Sequence, residues 1–197
     1  MNKLRLVKPF LSLLAALAGM GGCTVSLAAE VTVFGLPLGG QLRPDPKECT
    51  VKEITSNGSK APCWIGKPFV SKTSGGKLGS LQMPSPDTLP EWAASASFKA
   101  EVTKQGILEL LTLEALDGKL KHTIASSISK RFGLPVETTL PRTEWAEAKW
   151  HGEGIEVFQR CTVKSCEVRF LSPAAIEKMA GTQAEAQRIK ASRPATP

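Results

Sequence analysis

The sequence predicts an α+β fold, in which an antiparallel sheet built from hairpins carries one main helix, at about residues 118–132, on one face. Segments in which apolar and polar residues alternate flank one segment with the apolar spacing of a helix. Two close pairs of cysteines, Cys49 with Cys63 and Cys161 with Cys166, predict two disulfides. We expect a single domain over residues 30–180, with a loop-rich, disulfide-stapled part over 30–90 and a hairpin–helix–hairpin core over 91–180.

Residues 1–29 have the composition of a signal peptide. Three basic residues and no acid precede an apolar run over 10–20, and small residues surround Ala28. We expect cleavage near Ala28 and a periplasmic or secreted bacterial protein. An alternative rests on Met20-Gly21-Gly22-Cys23, which resembles the lipobox of bacterial lipoproteins. Lipidation of Cys23 would give a lipid-anchored envelope protein instead.

Charge and hydropathy narrow the class of protein. The net charge is +7 for the whole chain and falls to +4 without the leader, which has three basic residues and no acid. This mild excess of positive charge predicts no nucleic-acid binding. No second run of 18 apolar residues follows the leader, so we expect no transmembrane segment in the mature chain.

The N-terminal part is predicted from turn-forming residues more than from periodicity. Residues 30–34 form a predicted strand, and the glycines and proline of 35–40 bend the chain. Residues 63–70 are predicted to pack back onto the sheet, whereas the Gly, Ser and Lys residues of 71–79 predict a surface loop. In the chain-entropy model a Cys49–Cys63 disulfide contributes about 3 kcal/mol to this weakly specified part.

The core begins with a predicted hairpin. Apolar residues recur at every second position from Trp92 through Phe98 to Val102, which is the pattern of a strand with one buried face. A short turn at 104–106 leads to a predicted return strand at 107–113.

The main helix is the element with the clearest pattern. Asp117 is placed to cap its first turn, and Gly133 follows its last residue. One apolar stripe runs along it, formed by Leu120, Ile124, Ile128 and Phe132.

The second half of the core is predicted to return to strands, over 144–150, 155–161 and 166–171. Cys161 and Cys166 would face each other across the second of these hairpins. Their disulfide would contribute roughly 2 kcal/mol and fix the register of the two strands.

A last helix is predicted at the C-terminal end of the domain. Ser172 is a suitable N-cap and Pro173 a suitable first residue. Beyond Gly181 the chain becomes polar, and we expect residues 181–197 to form a frayed tail.

The cysteine spacing predicts disulfides in preference to a metal site. Zinc sites usually place two cysteines two to four residues apart, so that both sulfurs lie on one turn. In this chain 13 residues separate Cys49 from Cys63, and four separate Cys161 from Cys166. We therefore predict no metal and no cofactor.

Candidate catalytic residues are few. Of the two histidines, His122 is predicted to be a solvated helix residue. His151 lies at a predicted turn near Glu144, Glu147 and Glu153, which are residue types suited to acid–base chemistry. The chain lacks the Gly-x-Ser-x-Gly motif of many hydrolases.

Aromatic usage suggests a contact surface. The chain has four tryptophans and no tyrosine, and tryptophan is enriched at binding hot spots. Trp92 and Trp145 are predicted to lie in the core. Core packing is the favoured role for each tryptophan. The candidates for a partly exposed contact surface are two further tryptophans with their neighbours: Trp64, Lys67, Phe69, Trp150 and His151.

The leading interpretation is an exported, disulfide-stabilised, non-enzymatic protein that binds another protein or a cell-envelope component. Neither the partner nor the oligomeric state is predicted. In size and compartment, though in no specific residue, the chain resembles periplasmic inhibitor and immunity proteins. This resemblance suggests, as an alternative, an inhibitor of a lysozyme-like hydrolase or toxin. A third interpretation is an envelope hydrolase that uses His151 and nearby carboxylates.

Overall fold

A computed structural model describes residues 31–55, 59–72, 74–84, 89–139 and 145–192. The predicted leader with Cys23 lies outside these residues, as does Glu144. Within them the chain forms three α-helices, α1 (Val51–Thr55), α2 (Lys121–Phe132) and α3 (Pro173–Ser192), and 3₁₀ turns at Glu91–Ala93 and Gly118–Leu120. The strands described are β1 (Val31–Val33), β2 (Leu36–Leu38), β3 (Cys63–Trp64), β4 (Phe69–Val70), β5 (Lys77–Gln82), β6 (Ser97–Val102), β7 (Leu108–Ala115), β8 (Glu137–Thr138), β9 (Trp145–Gly152), β10 (Ile155–Thr162) and β11 (Cys166–Leu171).

The strands form one sheet whose main path is antiparallel. Neighbouring strands follow the order β3-β5-β6-β7-β11-β10-β9-β8, and β4 pairs with β5. The β1–β2 hairpin joins the sheet through one parallel pairing of Leu38 with Leu108. The predicted hairpins β6–β7, β9–β10 and β10–β11 are all present. The predicted α+β fold, an antiparallel sheet of hairpins with a main helix and a C-terminal helix, is therefore confirmed.

The two faces of the sheet differ in composition. Every second residue of the central strands is buried, and the register brings these residues onto one face, called here the inner face. They include Phe98, Ala100, Leu111, Leu113, Trp150, Val157, Val168 and Phe170. The alternate positions form an outer face of mostly charged side chains. A slip of one residue in any strand would exchange the two sets, so the register is strongly specified.

The inner face is covered by α2, the β1–β2 hairpin and the first 3₁₀ turn. Phe34, at the tip of the hairpin, makes edge-to-face contacts with Trp92, Phe98 and Phe170 at centroid distances of 5.6–6.1 Å. Its φ of 51° lies in the left-handed region, which a phenylalanine rarely adopts. Aromatic contacts of this kind contribute about 0.5–1.5 kcal/mol each beyond burial, which offsets the cost of that conformation.

The main helix begins as predicted but through a 3₁₀ turn. Asp117 Oδ1 accepts a hydrogen bond of 2.9 Å from the Lys119 backbone N–H. Ile124 and Ile128 of the predicted stripe are buried, and Gly133 ends the helix with a φ of 80°. Two polar contacts attach α2 to the sheet. Trp150 Nε1 donates to Ser129 Oγ at 3.1 Å and Gln159 Nε2 donates to the Lys121 carbonyl at 2.8 Å.

The C-terminal helix starts from a bulge in β7. The register shifts between β6 and β7 at Glu109, and the Glu109 carbonyl accepts from the Ser172 backbone N–H at 2.9 Å. Ser172 Oγ caps α3 by accepting from the Ala175 N–H at 3.2 Å. Lys178 lies 2.8 Å from Glu101 and 3.5 Å from Glu109, and the hydrogen bond to Glu101 raises the pKa of Lys178 above its ordinary value. Helix α3 continues to Ser192, past the point at which its polar composition predicts fraying.

Both predicted disulfides are present. Cys161 and Cys166 are register partners in β10 and β11, with Cα atoms 4.0 Å apart. Cys49–Cys63 joins the chain just before α1 to β3. The predicted pairing of the four cysteines is confirmed.

Other elements also differ from the sequence prediction. Strand β5 begins at Lys77, inside the predicted 71–79 loop. A glycine suits position 79 of that strand because a Cβ there would be only 3.1–3.2 Å from Pro68 and Trp64. Trp92 belongs to a 3₁₀ turn, and β6 begins only at Ser97. Helix α1 has no predicted counterpart.

Candidate functional site

The two tryptophans named as candidates for a contact surface are buried, which agrees with core packing, the role favoured for each, and removes them from the candidate surface. Trp64 is 2% exposed and Trp150 is 0% exposed. Both lie on the inner face, Trp150 opposite Val157 and Trp64 opposite Leu81. The side chain of Trp145 lies outside the described part of the molecule.

Lys67 and Phe69, in contrast, lie on the surface. Phe69 is 67% exposed and is the register partner of Leu78, which is also exposed. The Ile65 N–H donates to the Ser80 carbonyl at 2.9 Å, which places the exposed Ile65 side chain beside the same strand. We name Ile65, Phe69 and Leu78 the edge patch, because β4 lies at the margin of the sheet.

The edge patch rests on a rigid base. Trp64 lies beneath it, and the close contact of Gly79 with Pro68 and Trp64 holds β4 against β5. The Trp64 carbonyl accepts from the Cys49 N–H, and the Trp64 N–H donates to the Lys47 carbonyl, both at 2.8 Å. The Cys49–Cys63 disulfide closes this frame. The exposed apolar side chains are thus held in place by buried ones and by covalent linkage.

The surroundings of the edge patch are basic. Lys67 and Lys72 precede and follow β4 in the sequence, and both are exposed. Neither forms an ion pair with any residue that the structure describes. A contact surface here would therefore combine an apolar centre with a positive rim.

His151 lies far from the edge patch. It is an outer-face residue of β9, and six strand-to-strand steps separate β9 from β4, or about 29 Å along the sheet. The residues that the sequence groups as one candidate surface therefore do not converge. They divide into the edge patch with Lys67, the exposed His151, and the two buried tryptophans.

The carboxylates near His151 in sequence are not gathered around it. His151 Nδ1 lies 3.4 Å from Glu156 Oε1, and Glu156 also pairs with Lys149 at 3.0 Å. Glu147 instead pairs with Arg160 at 2.7 Å. Glu153 pairs with Arg131 at 2.6 Å. Since four residues of a strand span about 13 Å, His151 and Glu147 on β9 are too far apart to act on one proton.

The rest of the outer face neutralises its own charge. Lys99 pairs with Glu114 at 3.7 Å and Arg169 with Glu167 at 2.6 Å, in addition to the pairs formed around His151 and Lys178. Exposed pairs of this kind contribute about 0–1 kcal/mol each to stability. They also leave little unbalanced charge to attract a ligand to this face.

A cleft of about 940 Å³ with a mixed polar and apolar lining lies on the other side of the molecule, between the first 3₁₀ turn and α2. His122 is exposed, as predicted, and stands at this cleft. The other residues that line it are Glu91, Trp92, Ser95, Asp117, Leu120, Thr123, Ser126, Ser127 and Lys130. The spacing of the polar side chains on α2 was the one sequence signal for this cleft, because positions 123, 126, 127 and 130 share a helix face.

Comparison with known proteins yields no relative. No protein-family model matches the chain, and neither the curated proteins nor the solved structures contain a match. None of the helices in the described residues has both the length and the hydropathy of a membrane-spanning segment. Within the same residues no group of three or more His, Cys, Asp or Glu side chains is placed to hold a metal ion. Two disulfides are compatible with a location outside the cytoplasm.

Proposed function

We propose that this chain is an exported, non-enzymatic binding protein that docks a partner protein through the edge patch. The observation that carries the proposal is the exposed pair of Phe69 and Leu78 on a frame closed by Cys49–Cys63. A large aromatic side chain held outside the core on a rigid base is typical of a binding anchor. The leader-like residues 1–29 and the two disulfides support the periplasm as its compartment.

The partner is recognised through side chains more than through strand addition. Strand β4 is only two residues long, and Pro68 before it has no N–H to donate. A short edge flanked by proline and lysine resists pairing with a further strand. The partner surface that fits this patch has an apolar pocket for Phe69 and acidic side chains opposite Lys67 and Lys72.

The substitution Phe69→Asp tests this proposal. We expect it to remove the partner, because an aspartate cannot fill an apolar pocket, while the melting temperature changes little at so exposed a position. The measurement is affinity capture from a periplasmic extract of the source organism, followed by cross-linking from a photoreactive residue at position 69. The cross-link identifies a partner that touches the edge patch itself.

The matched control is Val163→Asp. Val163 is 68% exposed, nearly the same as Phe69, and lies in the turn between β10 and β11. The control variant should capture the same partner as the wild type. If both aspartate variants capture the same proteins, or if position 69 cross-links to nothing, the edge patch is not a docking surface.

A further inference from the structure

The cleft between α2 and the Glu91–Ala93 turn is a second surface feature, separate from the edge patch. With a volume of about 940 Å³ it falls at the upper end of the range for small-molecule sites. Its walls combine polar side chains with apolar surface, to which Trp92 and Leu120 contribute, and one wall is a face of α2.

Helix α2 presents a stripe of hydroxyl-bearing side chains to this cleft. Thr123, Ser126, Ser127 and Lys130 recur at the spacing with which amphipathic helices place apolar residues toward a core. Here the stripe carries three hydroxyl groups and an ammonium group. The apolar stripe of α2, with Ile124 and Ile128, lies on the inner side and is already buried against the sheet.

The polar groups of the cleft are not used by the protein itself. Within the described ranges, the hydroxyls of Ser95, Thr123, Ser126 and Ser127 make no hydrogen bond to another protein group. Serine and threonine bonds to a preceding helical carbonyl do occur elsewhere, as for Thr182 with Lys178. The outer face of the sheet provides the contrast, because its charged groups are paired with one another. Only Asp117 in the cleft is engaged, as the cap of the following turn.

Trp92 also lines the cleft, although its indole N–H is enclosed by the protein and not open to a ligand. Its side chain is more than nine-tenths buried, and its indole N–H has no acceptor among the described residues. An unsatisfied buried donor costs about 1–3 kcal/mol. The ring is held from behind by Phe34, so its position beside the hydroxyl stripe is fixed.

The charges select the class of ligand. Glu91 and Asp117 outnumber the single cation Lys130, and this balance does not favour a phosphate or another polyanion. Hydroxyl groups that both donate and accept, set beside a tryptophan, match a neutral ligand that itself carries many hydroxyls. We propose that this cleft binds a short neutral oligosaccharide.

Titration with two trisaccharides tests the inference. The probes are cellotriose and tri-N-acetylchitotriose, added to ¹⁵N-labelled protein of residues 30–197 and followed by amide chemical shifts. We expect saturable binding with a Kd of about 1 mM or tighter for at least one probe, because a few neutral hydrogen bonds in an open cleft support that range. The shifted amides should lie in residues 91–95 and 117–130. If neither trisaccharide shifts these amides, the inference is wrong.

Two sets of variants localise the binding. Ser126→Phe fills the cleft from an exposed helix position, and Ala184→Phe places the same side chain on the exposed part of α3 as a control. We expect the first to weaken binding at least about tenfold and the second to leave it unchanged. The double change of Thr123→Ala with Ser126→Ala, which favours the helix, should also weaken binding. Equal affinity of the double-alanine protein and the wild type would overturn the inference.

Since Phe69 takes no part in the cleft, the Phe69→Asp protein should bind the sugar normally. The two proposals can therefore fail independently.

Discussion

At the scale of single residues, two glycines have opposite requirements. Gly118 is buried where the start of the main helix meets the β10–β11 hairpin, and a Cβ there would overlap the Thr162 carbonyl oxygen and lie 2.6 Å from the Val163 carbonyl carbon. Gly181 lies inside α3 with no atom near its Cβ position. A glycine is therefore required by the limited space at position 118, whereas position 181 has room for a side chain.

Substitution by alanine should separate these two glycines. We expect Gly118→Ala to lower the free energy of unfolding by about 1–3 kcal/mol, because the backbone of the hairpin must move to admit the methyl group. Gly181→Ala should instead stabilise α3 by roughly 0.5–1 kcal/mol. Urea denaturation of both variants measures the difference, and a Gly118→Ala protein as stable as the wild type would show that the contact is not tight.

Glu53 provides a residue-scale prediction for pH. Its Oε2 accepts from the Thr50 backbone N–H and from Thr50 Oγ1, both at 2.8 Å, and its own N–H donates to Thr50 Oγ1 at 3.3 Å. This capping box starts α1 directly after Cys49. The backbone hydrogen bond from Thr50, followed by the hydroxyl bond, lowers the pKa of Glu53 below its ordinary value of 4.5.

Because the pKa of Glu53 is lowered in the folded state, the stabilisation from the capping box is fully present at pH values above the ordinary pKa of a glutamate. This stabilisation is lost as the pH falls through the folded-state pKa. We expect the Glu53 carboxyl to titrate, by NMR, at lower pH than in the Thr50→Ala variant. Replacing Thr50 removes the hydroxyl bond while leaving the backbone bond possible. Identical titration curves in the two proteins would contradict the role of the Thr50 hydroxyl.

At the scale of elements, the two disulfides should differ in what they hold. Cys161–Cys166 joins strands that are already paired along their whole length, whereas Cys49–Cys63 closes the frame beneath the edge patch. Replacing Cys49 and Cys63 by serine should cost about 3 kcal/mol and raise hydrogen exchange around Trp64 and β4 first. The matched replacement of Cys161 and Cys166 should cost about 2 kcal/mol and leave β4 protected. Equal protection of β4 in all three proteins would contradict this division.

At the scale of the whole molecule, the sequence predicts the strands and helices that are defined by patterns within a short segment. Alternation locates β6 and β7, and four-residue spacing locates α2, because these patterns are imposed by a neighbouring buried face. The order of the strands depends on pairings such as β7 with β11, which no short segment encodes. The burial of Trp150 depends on which face of the sheet α2 covers, and that of Trp64 depends on the pairing of β3 with β5, neither of which a short segment encodes. The cleft likewise forms because the Glu91–Ala93 turn lies near α2 in space, although the two are about 30 residues apart in sequence.

The short span of both disulfides has a consequence for mechanical force. Each crosslink joins residues near in sequence, 14 and five positions apart, so a pull on the two ends of the chain bypasses both loops. The loop closed by Cys49–Cys63 keeps on the order of 50 Å of chain from extending, and the loop closed by Cys161–Cys166 keeps on the order of 17 Å. The other strand pairs carry no covalent link and can separate under the same force. Oxidation therefore shortens the fully stretched molecule without linking its distant strands, and the resistance of the sheet to extension depends on noncovalent contacts, its hydrogen bonds and its core packing.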